Sequence, residues 1–171
     1  MNVYLVGSLR NNTIVSVAQH LTGAGLSVFS EWFSAGPEAD DHWQKHQKAL
    51  GRNYREALAS PAAQNTFWFD VRHLRHADMV VQVMPSGKSA SYELGFAAGL
   101  GKPTFILMDE PAKTDRWDVM TLFAGLPIRE ADIGQWRAPG VAYHIEELLV
   151  MIDACVQRMA LDCVSDTTRA M

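Results

Sequence analysis

The sequence has 171 residues, the length of one domain, and its 48% hydrophobic and 20% charged residues are ordinary for a globular protein. The formal net charge of −4 leaves no excess of basic residues to neutralise nucleic-acid phosphates. No apolar run reaches membrane-spanning length, and Met1–Val6 lacks the basic residues that open a secretory signal. We therefore expect a cytoplasmic protein that binds neither nucleic acid nor a membrane.

The first half of the chain alternates strand and helix patterns. Val3–Val6 is a continuous apolar run, typical of a strand buried on both faces. Capping residue types then precede apolar residues at helical spacing, and Gly23 and Gly25 end that helix. The predicted elements are, in order, strand 3–6, helix 11–25, strand 26–30, loop 31–41, helix 42–58 and helix 63–76.

The second half continues the alternation. Met79–Met84 is the clearest strand, and Ser89 is predicted to cap the helix that follows it. The predicted elements are strand 79–84, helix 89–100, strand 103–108, helix 114–124, a short edge strand 126–128 and a long helix 142–161. Alternating strands and helices predict an α/β fold with a parallel sheet and right-handed crossovers.

The predicted fold is a flavodoxin-like three-layer sandwich with a five-stranded parallel sheet in the order 2-1-3-4-5. We expect one domain over 1–171, with a helical insertion at about 31–65 and a C-terminal tail at about 162–171. In this order the switch point lies between the first and third strands, and ligands bind there, at the carboxyl ends of the strands. Two segments, Gly7–Arg10 and Pro85–Glu93, should therefore meet in one crevice.

Both segments carry candidate binding or catalytic residues. The Gly7–Arg10 turn offers backbone N–H groups, a hydroxyl and a guanidinium to an anion at a helix N-terminus. Glu93 is predicted in the first turn of the next helix, where the helix dipole favours an ionised carboxylate. A carboxylate in that crevice can attack an anomeric carbon and form a glycosyl-enzyme. The alternative is that Glu93 simply suits the start of a helix.

An ordered set of short motifs resembles the nucleoside 2-deoxyribosyltransferase family. The motifs are Tyr4-Leu5-Val6-Gly7-Ser8-Leu9-Arg10, Asp70 eight positions before Asp78, Ala77-Asp78-Met79-Val80-Val81 and Tyr92-Glu93-Leu94-Gly95. The Gly-Ser-x-Arg turn is most similar to the branch that hydrolyses nucleoside 5′-monophosphates to base and sugar phosphate. The resemblance covers roughly residues 2–108.

The resemblance implies three catalytic residues. Glu93 matches the family's nucleophile, Asp70 matches the aspartate that handles the base and its proton, and Tyr4 matches a tyrosine that lines the sugar site. It implies an enzyme that needs no cofactor, acts on a small nucleoside or nucleotide and forms a homo-oligomer. From the residues alone, the preferred interpretation of Asp70 is a helix residue exposed to water, and Tyr4 is equally well interpreted as a strand residue in the core.

The resemblance also implies a substrate-binding set. Ser8 and Arg10, in the turn that begins at Gly7, match phosphate-binding residues. Either Ser86 or Ser89, on the two sides of Gly87, matches the family's serine. Apart from the resemblance, Trp32 follows the second strand, where stacking on a base and forming a hydrophobic plug are equal alternatives.

The chain departs from the family pattern in two places. Residues 11–25 contain no arginine or lysine, so the second phosphate-binding arginine of the nucleotide hydrolases is missing. We still predict a preference for 5′-monophosphates, because Arg10 remains. The insertion at 31–65 is interpreted as a lid that carries the aromatic residues Trp32, Phe33, Trp43 and Tyr54.

Other residues receive structural interpretations. His42 and His46 have the i, i+4 spacing of a metal pair, but no glutamate of a zinc-protease motif lies between them, and we predict no metal site. At least two of the aromatic residues in Phe67-Trp68-Phe69 are expected to pack in the core.

Two other functions stay open on the sequence alone. One is a TIR-like hydrolase that cleaves NAD, because that class also places a catalytic glutamate in a flavodoxin-like crevice. The other is a non-catalytic nucleotide-binding module that keeps the pocket without turnover.

Overall fold

The structure is a computed structural model that describes residues 1–108 and 119–169, with 162–169 as backbone only. Five strands form one sheet in the order 2-1-3-4-5, and every neighbouring pair is parallel. The strands are β1 (Asn2–Val6), β2 (Ser27–Phe29), β3 (Met79–Val83), β4 (Thr104–Leu107) and β5 (Val141–Ala142). The predicted flavodoxin-like α/β arrangement is therefore confirmed.

Helices cover both faces of the sheet. They are α1 (Thr13–Gly23), α2 (Ala39–Ala49), α3 (Tyr54–Leu58), α4 (Pro61–His76), α5 (Lys88–Gly99) and α6 (Ile145–Arg169). Short 3₁₀ segments occur at Glu31–Ala35, Val119–Phe123 and Glu130–Asp132. Helix α6 takes in most of the segment predicted as a C-terminal tail. Over the described ranges, no helix combines the length and apolar character needed to span a membrane.

The sheet separates two hydrophobic cores, because successive side chains of a strand point to opposite faces. In β1, Val3 and Leu5 join the core beneath α1 and α6. Tyr4 and Val6 join the core beneath α4 and α5. This alternation places the Tyr4 side chain on the same face of the sheet as the two helices that carry Asp70 and Glu93.

The fifth strand is not where the sequence predicted it. The predicted edge strand at 126–128 is wrong: Gly125 forms an isolated antiparallel bridge with Thr104, and β5 is formed by Val141 and Ala142 instead. A two-residue strand is too short to show an alternating pattern. The sequence analysis therefore assigned Ala142 to the final helix.

Two of the predicted helices also differ from the structure. The helix predicted at 42–58 is two helices, α2 and α3, because Gly51 has a φ of +72° that no helix adopts. Asn53 begins α3 with a capping box: its side chain accepts a bond from the Glu56 N–H, and the Glu56 carboxylate accepts one from the Asn53 N–H. Of the helix predicted at 114–124, residues 114–118 lie outside the described residues, and Val119–Phe123 is 3₁₀.

Helix α5 begins earlier than predicted. Its N-cap is Gly87, so Ser89 lies inside the helix and does not cap it. Glu93 consequently lies in the second turn, and the first turn contains no acidic residue. The prediction that the helix dipole stabilises an ionised Glu93 is therefore wrong, because that effect falls off within the first turn.

Candidate active site

A cleft of about 560 Å³ opens at the carboxyl ends of β1 and β3, the switch point of the sheet. Both segments predicted to meet there contribute to it. Its lining residues come from the β1–α1 turn (Gly7, Ser8, Leu9, Arg10), from β1 (Tyr4), from the insertion and α2 (Trp32, Ala35, Ala39, Asp40, Trp43), from α4 (Ala62, Ala63, Thr66, Phe67, Asp70) and from the start of α5 (Gly87, Ser89, Glu93).

Tyr4 lies at the base of the cleft and is 1% exposed. Its ring stacks on Phe29, with the ring centroids 5.2 Å apart. Its hydroxyl donates a hydrogen bond of 3.3 Å to Oδ1 of Asp70 on α4. Burial, and then the nearby Glu93 and Asp70 carboxylates, raise the pKa of Tyr4 well above its ordinary value. The phenol therefore stays protonated and acts as a hydrogen-bond donor.

Two carboxyl groups share this end of the cleft. Burial, and then the Asp70 carboxylate, raise the pKa of Glu93 to about 7, against an opposing effect of its hydrogen bond with Tyr4. Burial also raises the pKa of Asp70, although its hydrogen bond with Tyr4 and the nearby His73 work against that rise. Near neutral pH, Glu93 is thus present in both protonation states, which is suited to acid–base or nucleophilic chemistry.

The turn after β1 is held in one conformation. The Arg10 N–H donates to Oγ of Ser8 at 3.2 Å, and the Asn11 N–H donates to the Ser8 carbonyl at 2.9 Å. Gly7 is required, because a Cβ atom there would lie 2.6 Å from Cδ1 of the fully buried Ile14. These contacts fix where the Ser8 and Arg10 side chains enter the cleft.

Asn11 connects the turn to the other side of the switch point. Its Nδ2 donates to the Pro85 carbonyl at 3.3 Å, and its Oδ1 accepts bonds from the Thr13 N–H at 3.0 Å and from the Thr13 hydroxyl at 2.7 Å. The side chain is buried, and the N-cap of α1, Asn12, makes no side-chain capping bond. Asn11 thus joins the two loops that the sequence predicted to meet.

The two candidate serines are separated by the structure. Ser89 and Gly87 line the cleft, whereas Ser86 does not. The Ser86 hydroxyl accepts a 2.6 Å hydrogen bond from Nε2 of Gln82 and lies 3.1 Å from the Met84 sulfur. Of the two alternatives that the sequence left open, Ser89 is therefore the serine that lines the cleft, and the Ser86 hydroxyl is bonded to Gln82 of β3.

The insertion covers one side of the cleft. Trp32 lines it, and its Nε1 donates a 2.7 Å hydrogen bond to the Leu5 carbonyl, which anchors the insertion to β1. Trp43 on α2 also lines the cleft, and its buried Nε1 has no hydrogen-bond partner among the described residues. Phe33 and Tyr54, which were predicted to belong to the same lid, do not line the cleft.

Several lining residues were not predicted as site residues. Thr66 and Phe67 lie one turn before Asp70 on α4, so the i, i+3 and i, i+4 spacing that puts them on its face was readable from the sequence. Asp40 on α2 lines the cleft, and its neighbour Asp41 contacts Arg10. No sequence pattern indicates that contact.

The histidine pair of the insertion forms a different contact. Nε2 of His42 lies 3.4 Å from a carboxylate oxygen of Glu38, with both side chains exposed. In the part of the chain that the structure describes, no three His, Cys, Asp or Glu side chains are grouped closely enough to hold a metal ion.

Comparison with solved structures gives a distant likeness, and the sequence comparisons give none. No family model matches the sequence, and no curated protein matches it. Among solved structures, the chain is similar to the CMP N-glycosidase BcmB of Clostridium botulinum, with 11% sequence identity and a TM-score of 0.49. The match covers 90% of this chain and 99% of that one. A likeness this distant assigns neither an activity nor a substrate to the chain.

Proposed function

We propose that this chain is an enzyme that cleaves or transfers the N-glycosidic bond of a nucleoside or a nucleoside 5′-monophosphate. The observation that carries the proposal is the convergence of Tyr4, Asp70 and Glu93 at one end of the switch-point cleft. A partly buried carboxyl group with a pKa of about 7, next to a second carboxyl group and a protonated phenol, is suited to glycosidic bond cleavage.

In the first step, the Glu93 carboxylate attacks the anomeric carbon of the sugar. A C–O bond forms, the C–N bond breaks, and the bonding electron pair leaves on the nitrogen of the base. The reactive state of this carboxyl pair has Glu93 ionised and the shared proton on Asp70, whose pKa is raised by burial, and Asp70 gives that proton to the departing base. The products of this step are a free base and a glycosyl-enzyme.

In the second step, water or a second base attacks the same anomeric carbon and releases Glu93. Asp70, now ionised, accepts the proton of the attacking group, so its protonation state is restored at the end of the cycle. The Tyr4 hydroxyl positions Asp70 through their hydrogen bond. Trp32 and Phe67 supply apolar surface on which a base can stack.

The test is the release of free base from a panel of nucleosides, nucleoside 5′-monophosphates and NAD, separated by chromatography. The proposal expects base from a nucleoside or a monophosphate with the wild type and almost none with Glu93→Gln. Nicotinamide from NAD alone would favour the TIR-like alternative, and binding without products would favour a non-catalytic module. Base release that persists undiminished in Glu93→Gln would contradict the mechanism.

A further inference from the structure

The guanidinium of Arg10, at the mouth of the cleft, already forms an ion pair with a carboxylate. Nη2 of Arg10 lies 2.6 Å from Oδ2 of Asp41, which belongs to α2 in the insertion. The Arg10 and Asp41 side chains are 57% and 65% exposed, so the pair lies in solvent contact at the rim.

The other charged lining residues have the opposite sign to Arg10. They are Asp40, Asp70 and Glu93, while Arg10 is the lone arginine or lysine among the described lining residues. An anionic group that enters the cleft therefore has one cation to bind, and that cation has a carboxylate partner 2.6 Å away.

We propose that Asp41 is a specificity-determining residue, which competes with the 5′-substituent of the substrate for Arg10 and so disfavours 5′-monophosphates relative to nucleosides. This inference rests on the proposed function for its substrate class, and it opposes the preference for 5′-monophosphates that Arg10 by itself predicts. It assigns to the insertion a part in substrate selection beyond covering the cleft.

The competition follows from the chemistry of one guanidinium. Its planar fork binds a carboxylate or a phosphate in the same way, so Asp41 and a substrate phosphate require the same donors. An exposed ion pair is weakly held, and a phosphate can displace Asp41. Displacement, however, leaves Asp41 unpaired beside a dianion, with Asp40 on the same helix, and this like-charge repulsion weakens the binding of the phosphate.

The kinetic test compares one nucleoside with its own 5′-monophosphate. For Asp41→Asn, the ratio of kcat/KM for the monophosphate to kcat/KM for the nucleoside is expected to rise by about tenfold over the wild type, because one negative charge near the phosphate is removed. Asp41→Ala is expected to raise the ratio likewise. Glu38→Gln is the matched control: it removes one negative charge just before α2, at a residue that pairs with His42 and does not line the cleft.

A binding test with inorganic phosphate decides the inference independently of turnover. Calorimetry is expected to show tighter phosphate binding by Asp41→Asn than by the wild type, and a return to weak binding in Arg10→Ala/Asp41→Asn. Unchanged phosphate affinity in Asp41→Asn, or a fall in the monophosphate ratio, would overturn the inference, since Asp41 would then only position Arg10. Failure of every substrate to release base would refute the proposed function, and the calorimetry would still decide the competition for Arg10.

Discussion

Glu93 has a carboxyl group whose environment opposes its ionisation. Burial and the neighbouring Asp70 carboxylate raise its pKa from an ordinary 4.5 to about 7. Between these two values the folded protein keeps a proton on Glu93 that the unfolded chain has released. Stability therefore decreases as the pH rises from about 4.5 to about 7, and the cost of the buried charge is fully present above that window.

The variant Glu93→Gln should remove this cost. We expect its free energy of unfolding, relative to the wild type, to increase across that window by about 2 to 3 kcal/mol. Chemical denaturation at several pH values measures the difference, with the exposed Glu38→Gln as the control. A difference between Glu93→Gln and wild type that is the same at every pH would show that Glu93 ionises as freely in the folded protein as in the unfolded one.

Asp70 is expected to act through the proton that it gives to the leaving base. Asp70→Asn should lower kcat by about 10²- to 10⁴-fold on substrates whose base is a poor leaving group, and by much less on activated substrates that need no proton. The measurement is kcat against the pKa of the leaving base for both proteins. An equal loss on all substrates would argue that Asp70 only positions the base.

At the residue scale, the sequence was most informative about the site where a motif coincides with the end of a strand. The cleft is lined by five of the predicted site residues: Tyr4, Ser8, Arg10, Asp70 and Glu93. The charge balance of that cleft was not predictable from the sequence. The contact between Arg10 and Asp41 joins residues that are 31 positions apart, one in the β1–α1 turn and one in α2, and no sequence spacing indicates that these two segments meet. The bonding of the Ser86 hydroxyl depends on the path of a loop, which residue patterns do not specify.

At the scale of elements, the close approach of β1 and α1 depends on Gly7. A Cβ atom at this position would lie 2.6 Å from Cδ1 of Ile14, which is completely buried, so the Ile14 side chain must shift within a packed core to accommodate it. Gly7→Ala should therefore destabilise the protein by about 1 to 3 kcal/mol and shift the Ser8–Arg10 turn.

The double variant Gly7→Ala/Ile14→Val removes the clashing atom itself. We expect it to be more stable than Gly7→Ala alone, although Ile14→Val by itself costs about 0.5 to 1.5 kcal/mol. Thermal unfolding of the four proteins of this cycle measures the coupling. Strict additivity of the two substitutions would contradict the proposed clash.

The sequence failed to predict the fifth strand and the break between α2 and α3, for different reasons. The strand formed by Val141 and Ala142 exists because β4 has a free edge there, which is a tertiary cause that two residues cannot signal. The break between α2 and α3 was readable, since Gly51 precedes an Asn-x-x-Glu capping box at Asn53. The alternation of strands and helices predicted a parallel sheet, and the flavodoxin-like strand order expected for it is confirmed.

At the scale of the whole molecule, α4 and α5 lie against each other and carry exposed aromatic residues. Core packing was predicted for at least two residues of Phe67-Trp68-Phe69, and this prediction is wrong, because all three side chains are exposed. The exposed aromatic residues of the two helices are Phe67, Trp68, Phe69, Tyr92 and Phe96. Several exposed aromatic side chains on two neighbouring helices are typical of an interface with another protein.

The expected homo-oligomer stays a prediction, and these helices give it a test. Tyr92→Glu should shift the protein toward the monomer in light scattering coupled to size exclusion, because it places a charge on a side chain that is 78% exposed on α5. Val150→Glu on α6, which covers the other face of the sheet, is the control. A wild type that is monomeric at every concentration, or equal effects of both variants, would contradict the prediction.

Glu93 is proposed to form a covalent bond to the sugar. A nucleoside that carries a 2′-fluoro group and a good leaving base should react in the first step and stall in the second, because the fluorine destabilises the oxocarbenium-like transition state. Mass spectrometry of the intact wild type is expected to show an increase equal to the sugar moiety, located in the peptide that contains Glu93, and no increase for Glu93→Gln. An adduct on another residue, or base release from this substrate by Glu93→Gln at the wild-type rate, would contradict the account.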